Sequence, residues 1–150
     1  MNKAHFFLTI FCCYLISCSQ PSITDKRKDT MMEIVNAIIK NDTTKLFTLV
    51  DTSIIFNTTG KDEFMYNVNS LNIIFLKENM KLDKNDFMPV NLNNGADAYE
   101  VIIPLMNSSF DKIDMEFSFY HGVSNFVYSF DAYFKRNKAE PLQAAPSGNN

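Results

Sequence analysis

Apolar positions repeat at helical spacing through the first half of the chain and alternate through the second. Met31, Ile34, Val35, Ile38 and Ile39 stand at i, i+3, i+4, i+7 and i+8, one face of a helix. Thr30-Met31-Met32-Glu33 fits a capping box for its start, with Asp25 as an earlier alternative. Asn41-Asp42 breaks the pattern. Asp42 can cap a short second helix through Val50, with Leu46, Phe47, Leu49 and Val50 apolar. Ser53 to Asn57 carries Ile54-Ile55-Phe56 and reads as a short strand. After the turn Thr58-Thr59-Gly60, a long helix is predicted from about Lys61 to Asn79. Phe64, Val68, Leu71 and Phe75 form its core stripe, flanked by Met65, Ile74 and Leu76, while Tyr66 and Ile73 lie on its polar side.

The remaining pattern has period two. Phe87 to Leu92 reads as a strand, Asn93-Asn94-Gly95 as a hairpin turn, and Asp97 to Met106 as a strand with Tyr99, Val101, Ile103 and Leu105 on one face. Pro104 removes a ladder donor and predicts an edge or a bulge. Lys112 to His121 places Ile113, Met115, Phe117, Phe119 and His121 on one face and Asp114, Glu116, Ser118 and Tyr120 on the other. Phe126 to Lys135 places Phe126, Tyr128, Phe130, Ala132 and Phe134 inward and Val127, Ser129, Asp131, Tyr133 and Lys135 outward. Glu100, Asp114, Glu116 and Asp131 therefore share the face opposite the phenylalanines.

The fold class is α+β: N-terminal helices and one long helix packed on a curved antiparallel β-sheet, because a sheet with one apolar face must be covered. The segment Ile34 to Phe56 (IVNAIIKNDTTKLFTLVDTSIIF) and the element order resemble the cystatin-like cone of the nuclear transport factor 2 superfamily, which includes ketosteroid isomerase and scytalone dehydratase relatives. The resemblance covers roughly Asp25 to Arg136. It implies a cone with an apolar interior. No catalytic motif of that superfamily matches, so no residue inherits a catalytic role from it.

The N-terminus carries a different signal. Lys3 precedes an uncharged, mostly apolar run from Phe6 to Ile16, too short for the roughly 20 residues of a spanning helix. Its length is that of a signal-peptide core. It ends in Leu15-Ile16-Ser17-Cys18, which resembles the lipobox of bacterial lipoproteins. The resemblance implies a signal peptide over 1–17 and acyl chains, palmitate among them, on Cys18. It also implies a tether over 18–24 and a membrane partner held through that lipid. Ser19 in place of an aspartate points to the outer membrane, facing the periplasm. Residues 25–138 form the single α+β domain, and 139–150 read as a disordered tail.

Composition narrows the chemistry. The net charge is -3, more negative once Lys3 leaves, so the chain is no nucleic-acid binder. Lys26-Arg27-Lys28 is the only basic cluster and reads as a solvated helix start. Cys12, Cys13 and His5 fall within the signal segment, and Cys18 is consumed by lipid. The mature chain then has no thiol for catalysis, metal or disulfide, and His121 is its only imidazole. The sequence implies no cofactor and no metal. Fourteen Phe and no Trp favour an apolar interior.

His121, at the end of an apolar strand face, and Tyr99 and Tyr128 are the candidate ligand-binding residues at a cone mouth. The four strand carboxylates can bind a hard cation only if neighbouring strands converge them; a solvated acidic face is their ordinary role. Three function classes follow. The first is a non-catalytic envelope module for a small apolar ligand or another envelope protein. The second is a cone-fold enzyme of isomerase, dehydratase or hydrolase type. The third is a lipid-anchored interaction or immunity protein. An enzyme needs at least two ionisable groups inside the cone, and only His121 stands near it, which favours the first class.

Overall fold

The computed structural model describes residues 22–91 and 97–136. Within them, four helices precede a four-stranded antiparallel sheet of order β1-β2-β3-β4 that does not close on itself. The expected α+β arrangement is present. The signal segment, the hairpin turn at Asn93-Asn94-Gly95 and the tail from 139 lie outside the described residues.

Helix α1 (Ile23–Ile39) starts seven residues before the Thr30 box. Ser22 is its cap: the Asp25 N–H donates to Ser22 Oγ at 3.1 Å, and the Ser22 N–H donates back to Asp25 Oδ2 at 3.2 Å. Thr30 is instead a buried mid-helix residue whose hydroxyl donates to the Ser124 carbonyl at 2.7 Å. Met31, Ile34, Val35 and Ile38 bury the expected face. Asp42 caps α2 (Thr43–Leu49) by accepting from the Lys45 N–H at 2.9 Å.

Ser53 to Asn57 is not a strand. It lies in helix α3 (Thr52–Thr58), capped by Asp51, whose Oδ1 accepts from the Ser53 and Ile54 N–H groups at 3.1 and 3.2 Å. A three-residue apolar run fits either state; the helix forms where Asp51, held by the Val127 carbonyl, caps it. Val50, expected as the last residue of α2, is extended instead and bridged in parallel to Val127.

Helix α4 (Lys61–Lys77) follows Gly60, whose φ of 88° suits a residue without a side chain. Phe64, Val68, Leu71 and Phe75 are buried as expected. Leu76, expected beside the core, is exposed. Helix α4 does not cover the sheet alone, because α1 packs beside it and supplies much of the core. Asn72 of α4 joins the two: its Nδ2 donates to the Ile38 and Ile39 carbonyls at 2.7 and 3.0 Å, satisfying the end of α1. Among the described residues no helix is long and apolar enough to cross a membrane.

A 3-10 turn (Lys84–Asp86) leads into β1 (Met88–Asn91), which pairs with β2 (Asp97–Pro104) only as far as Met88 opposite Glu100. Pro104 therefore sits where β2 has β3 alone as a neighbour, as its missing N–H requires. Strand β3 (Lys112–Phe119) stops two residues before His121, because Tyr120 to Val123 turn, with Gly122 at φ 76° and the Val123 N–H on the Tyr120 carbonyl at 3.0 Å.

In β4 (Val127–Lys135) a register shift beside Ser118 and Phe119 exchanges the faces at the strand's start. Val127, expected outward, is buried opposite Phe119. Phe126 and Tyr128, expected inward, are only partly covered. Beyond the bulge the expected face holds: Phe130 stacks on Phe117 at 5.2 Å between centroids and meets Phe64 of α4 edge-on at 6.4 Å.

Candidate functional site

The inner face of the sheet is filled. Phe87, Phe117 and Phe119 are fully buried against the helices, so the interior is occupied by side chains. The concave features are at the surface: two lie beside β4, and one of about 220 Å³ lies between α1 and α2, lined by Glu33, Asn36, Ala37, Lys40, Asp42 and Lys45.

Helix α3 is pinned to the start of β4. The Asp51 N–H donates to the Val127 carbonyl at 2.7 Å, and the Tyr120 hydroxyl donates to Asp51 Oδ2 at 3.2 Å. The Ser53 hydroxyl is the main cause that holds the Asp51 carboxyl below its ordinary value. Partial burial opposes it, and the Ile54 N–H and the Tyr120 hydroxyl add to it. Beyond this pin a groove of about 310 Å³ opens between α3 and β4. Ile54, Ile55 and Phe130 line it with apolar surface; Thr58, Tyr128 and Asp131 add polar groups. A smaller cavity of about 80 Å³ continues along β4 between Ala132, Tyr133, Phe64 and Leu71. With Thr59 and Ser129 the groove's lining is about equally polar and apolar, which suits a small ligand with an apolar body and a polar end. The groove exists only because Ser53 to Asn57 is helical, so a strand expected there conceals it.

Comparison of the chain with protein-family models, curated proteins and solved structures gives no match. Its site is read from its own geometry.

The three candidate ligand residues fall in different places. Tyr128 lines the groove, with its ring 4.7 Å from that of Tyr120. Tyr99 is a core residue, edge-on to Phe119 at 5.9 Å. His121 is 91% exposed in the β3–β4 turn, its Nδ1 3.5 Å from Asp97 Oδ2.

That carboxylate already has a closer partner. Arg27 is only 4% exposed; its Nη2 donates to Asp97 Oδ2 at 2.6 Å and to the Tyr120 carbonyl at 3.3 Å, and its Nε donates to the Val123 carbonyl at 2.8 Å. The guanidinium also lies over the Phe119 ring at 5.3 Å. The hydrogen bond from Arg27 is the main cause that holds the Asp97 carboxyl below its usual range. Arg27 is thus no part of a solvated basic patch. It staples α1 to β2 and to the turn that carries His121, a role that adjacent lysines in the sequence conceal.

On the outer face of the sheet, Glu100, Glu116 and Asp131 stand in register across β2, β3 and β4. Among the described residues no group of three His, Cys, Asp or Glu side chains is placed to hold a metal ion. Asp114 is offset from that row. Burial pushes its carboxyl up, but the ammonium groups of Lys135 and Lys112 outweigh burial and hold it below its ordinary value.

Proposed function

We propose that the chain is a lipid-anchored protein of the bacterial envelope, held at Cys18 in the outer membrane facing the periplasm. In this reading it acts as a non-catalytic binding module whose ligand is a small apolar molecule. The groove between α3 and β4 carries the reading: its volume and the apolar surface of Ile54, Ile55 and Phe130 suit the body of a small ligand, and the surrounding hydroxyl and carboxylate groups suit a polar end. The Leu15-Ile16-Ser17-Cys18 lipobox supports the anchor. Two or more acyl chains give stable attachment where one gives only reversible binding. The element order supports kinship with the cystatin-like cone. The helical state of Ser53 to Asn57 departs from that pattern, and no catalytic role is drawn from it.

Two measurements test the proposal separately. Intact mass of the full chain made in a lipoprotein-processing bacterium should show an acylated Cys18 as the first residue, and Cys18→Ala should lose membrane pelleting. An unmodified Cys18 behind a retained signal segment overturns the anchor. A photoactivatable diazirine fatty acid fed to the same cells should label peptides containing Ile54 to Thr59 or Tyr128 to Asp131, and Ile54→Asp should abolish that label. Labelling that is uniform over the chain, or unchanged in Ile54→Asp, overturns the groove as the site.

A further inference from the structure

The two edges of the sheet are built differently. Strand β1 is short, and Pro89 stands on its free side with no N–H to offer: Leu105 bonds to Asp111, so odd positions of β2 face β3, even positions face β1, and Met88 and Val90 use their backbone groups on β2. Strand β4 has no such protection. Its first residues are covered by Val50, Asp51 and α3. From Phe130 to Lys135 it continues without proline or bulge. The Lys135 carbonyl accepts from Asp111, so odd positions of β4 face β3. The backbone groups of Phe130, Ala132 and Phe134 point away from the sheet and meet no partner among the described residues. A long open edge of this kind is a template for another strand.

We propose that this edge pairs with the same edge of a second copy, antiparallel, about a two-fold axis at Tyr133. The residues themselves select this partner and this register. Tyr133 is the midpoint of Asp131 and Lys135, so pairing about it sets Asp131 opposite the second copy's Lys135 and Lys135 opposite the second copy's Asp131. Opposite charges then face each other twice on the outer side, each Lys135 being shared between Asp114 of its own sheet and the second copy's Asp131. On the inner side the small Ala132 faces the second copy's Phe134. The cavity of about 80 Å³ at Ala132, lined by Phe64 and Leu71, receives the edge of that ring. Ala132 and Phe134 also present the backbone groups that point outward, so the pairing supplies them with hydrogen bonds. Moving the axis to Ala132 would set Asp131 against a tyrosine and lose both charge pairs. The two sheets then join into one of eight strands. The edge shares Phe130 and Asp131 with the groove, but the pairing needs no ligand there.

The test uses the full chain, co-expressed with two different epitope tags and photocrosslinked in cells through p-benzoyl-phenylalanine. At Tyr133 the probe should give an adduct containing both tags. At Tyr66, exposed on the far side of α4, it should give none. Asp131→Lys places lysine against lysine at both ends and should lower the adduct about tenfold. It should not unfold the chain, since it removes a carboxylate facing Glu116. Ala132→Pro removes an outward N–H and should act likewise. Thermal melts of the purified variants confirm folding, and Asp131→Lys alone decides if the proline variant melts early. Absence of a two-tag adduct at Tyr133 overturns the proposal. So does an adduct only to another protein, or a two-tag adduct of equal yield at Tyr66 or in Asp131→Lys. Fatty-acid labelling of the groove is read in parallel, so failure of either reading leaves the other standing.

Discussion

Arg27 and Asp97 lie 70 residues apart in sequence and 2.6 Å apart in space. The pair joins the first helix to the start of β2, and the same guanidinium holds two carbonyls of the β3–β4 turn. Its energetic weight comes from burial on the arginine side, because a buried donor group stripped of its acceptor, or the reverse, costs far more than an exposed pair contributes.

Arg27→Met should therefore destabilise the domain by about 3 kcal/mol, the low end for a broken buried pair, since Asp97 keeps access to water. Arg27→Lys should recover only part of the loss, because one ammonium cannot reach both carbonyls and the carboxylate. Denaturant melts measure both.

The same pair sets a pH dependence. The Asp97 carboxyl is lowered in the folded state, so its contribution is present above the unfolded value near 3.8 and is lost as pH falls through the folded value. Asp97→Asn should lower the melting midpoint at pH 7 and narrow its difference from parent at pH 3. An unchanged difference between the two pH values would remove Asp97 from the acid sensitivity.

Phe117→Ala should cost about 3–5 kcal/mol, because the ring is fully buried between Phe87 and Phe130. Glu116→Ala, one position away on the outer face, should change stability by less than about 0.5 kcal/mol. Glu116→Gln should raise it slightly, since Glu116 stands between Glu100 and Asp131. Equal losses at Phe117 and Glu116 would contradict the register.

Asn72→Ala should cost about 1 kcal/mol, because it leaves the Ile39 carbonyl without its donor while the Ile38 carbonyl keeps the Asn41 N–H at 3.0 Å. Asn72→Asp should cost more, placing a carboxylate against those carbonyls at the negative end of α1. Thermal unfolding of the two variants distinguishes the lost bond from the added repulsion.

Asp51→Ala should loosen α3 and with it the groove. Hydrogen exchange should quicken at the Ile54 and Ile55 amides and stay as in the parent at Met115 and Phe117. Equal quickening in the sheet would show that Asp51 supports the whole domain instead of one helix.

Much of this architecture was legible in local pattern. The periods of 3.6 and 2 placed α1, α2, α4 and the strands, because each element buries one face and the face must recur at the element's own repeat. The Asp42 cap and the Phe117–Phe130 face were readable for the same reason. Local pattern was ambiguous at Ile54-Ile55-Phe56, where the run is too short to show a period. It was misleading at Val127, where a bulge inserts one residue and reverses inside and outside. Arg27 and Asn72 gave no local signal at all.

The sequence by itself thus determined the helix and strand periods, the charge and the cysteine and histidine inventory, since each is a property of neighbouring residues or of the whole list. Only the tertiary structure decided that Ser53 to Asn57 is helical, that Arg27 is interior, that a groove opens beside β4, and that the edge from Phe130 to Lys135 stands open. Each of these depends on residues far apart in the chain. Arg27 needs Asp97 and Val123 to be buried at all, α3 needs Val127 to anchor its cap, and a strand edge is defined by what does not pair with it.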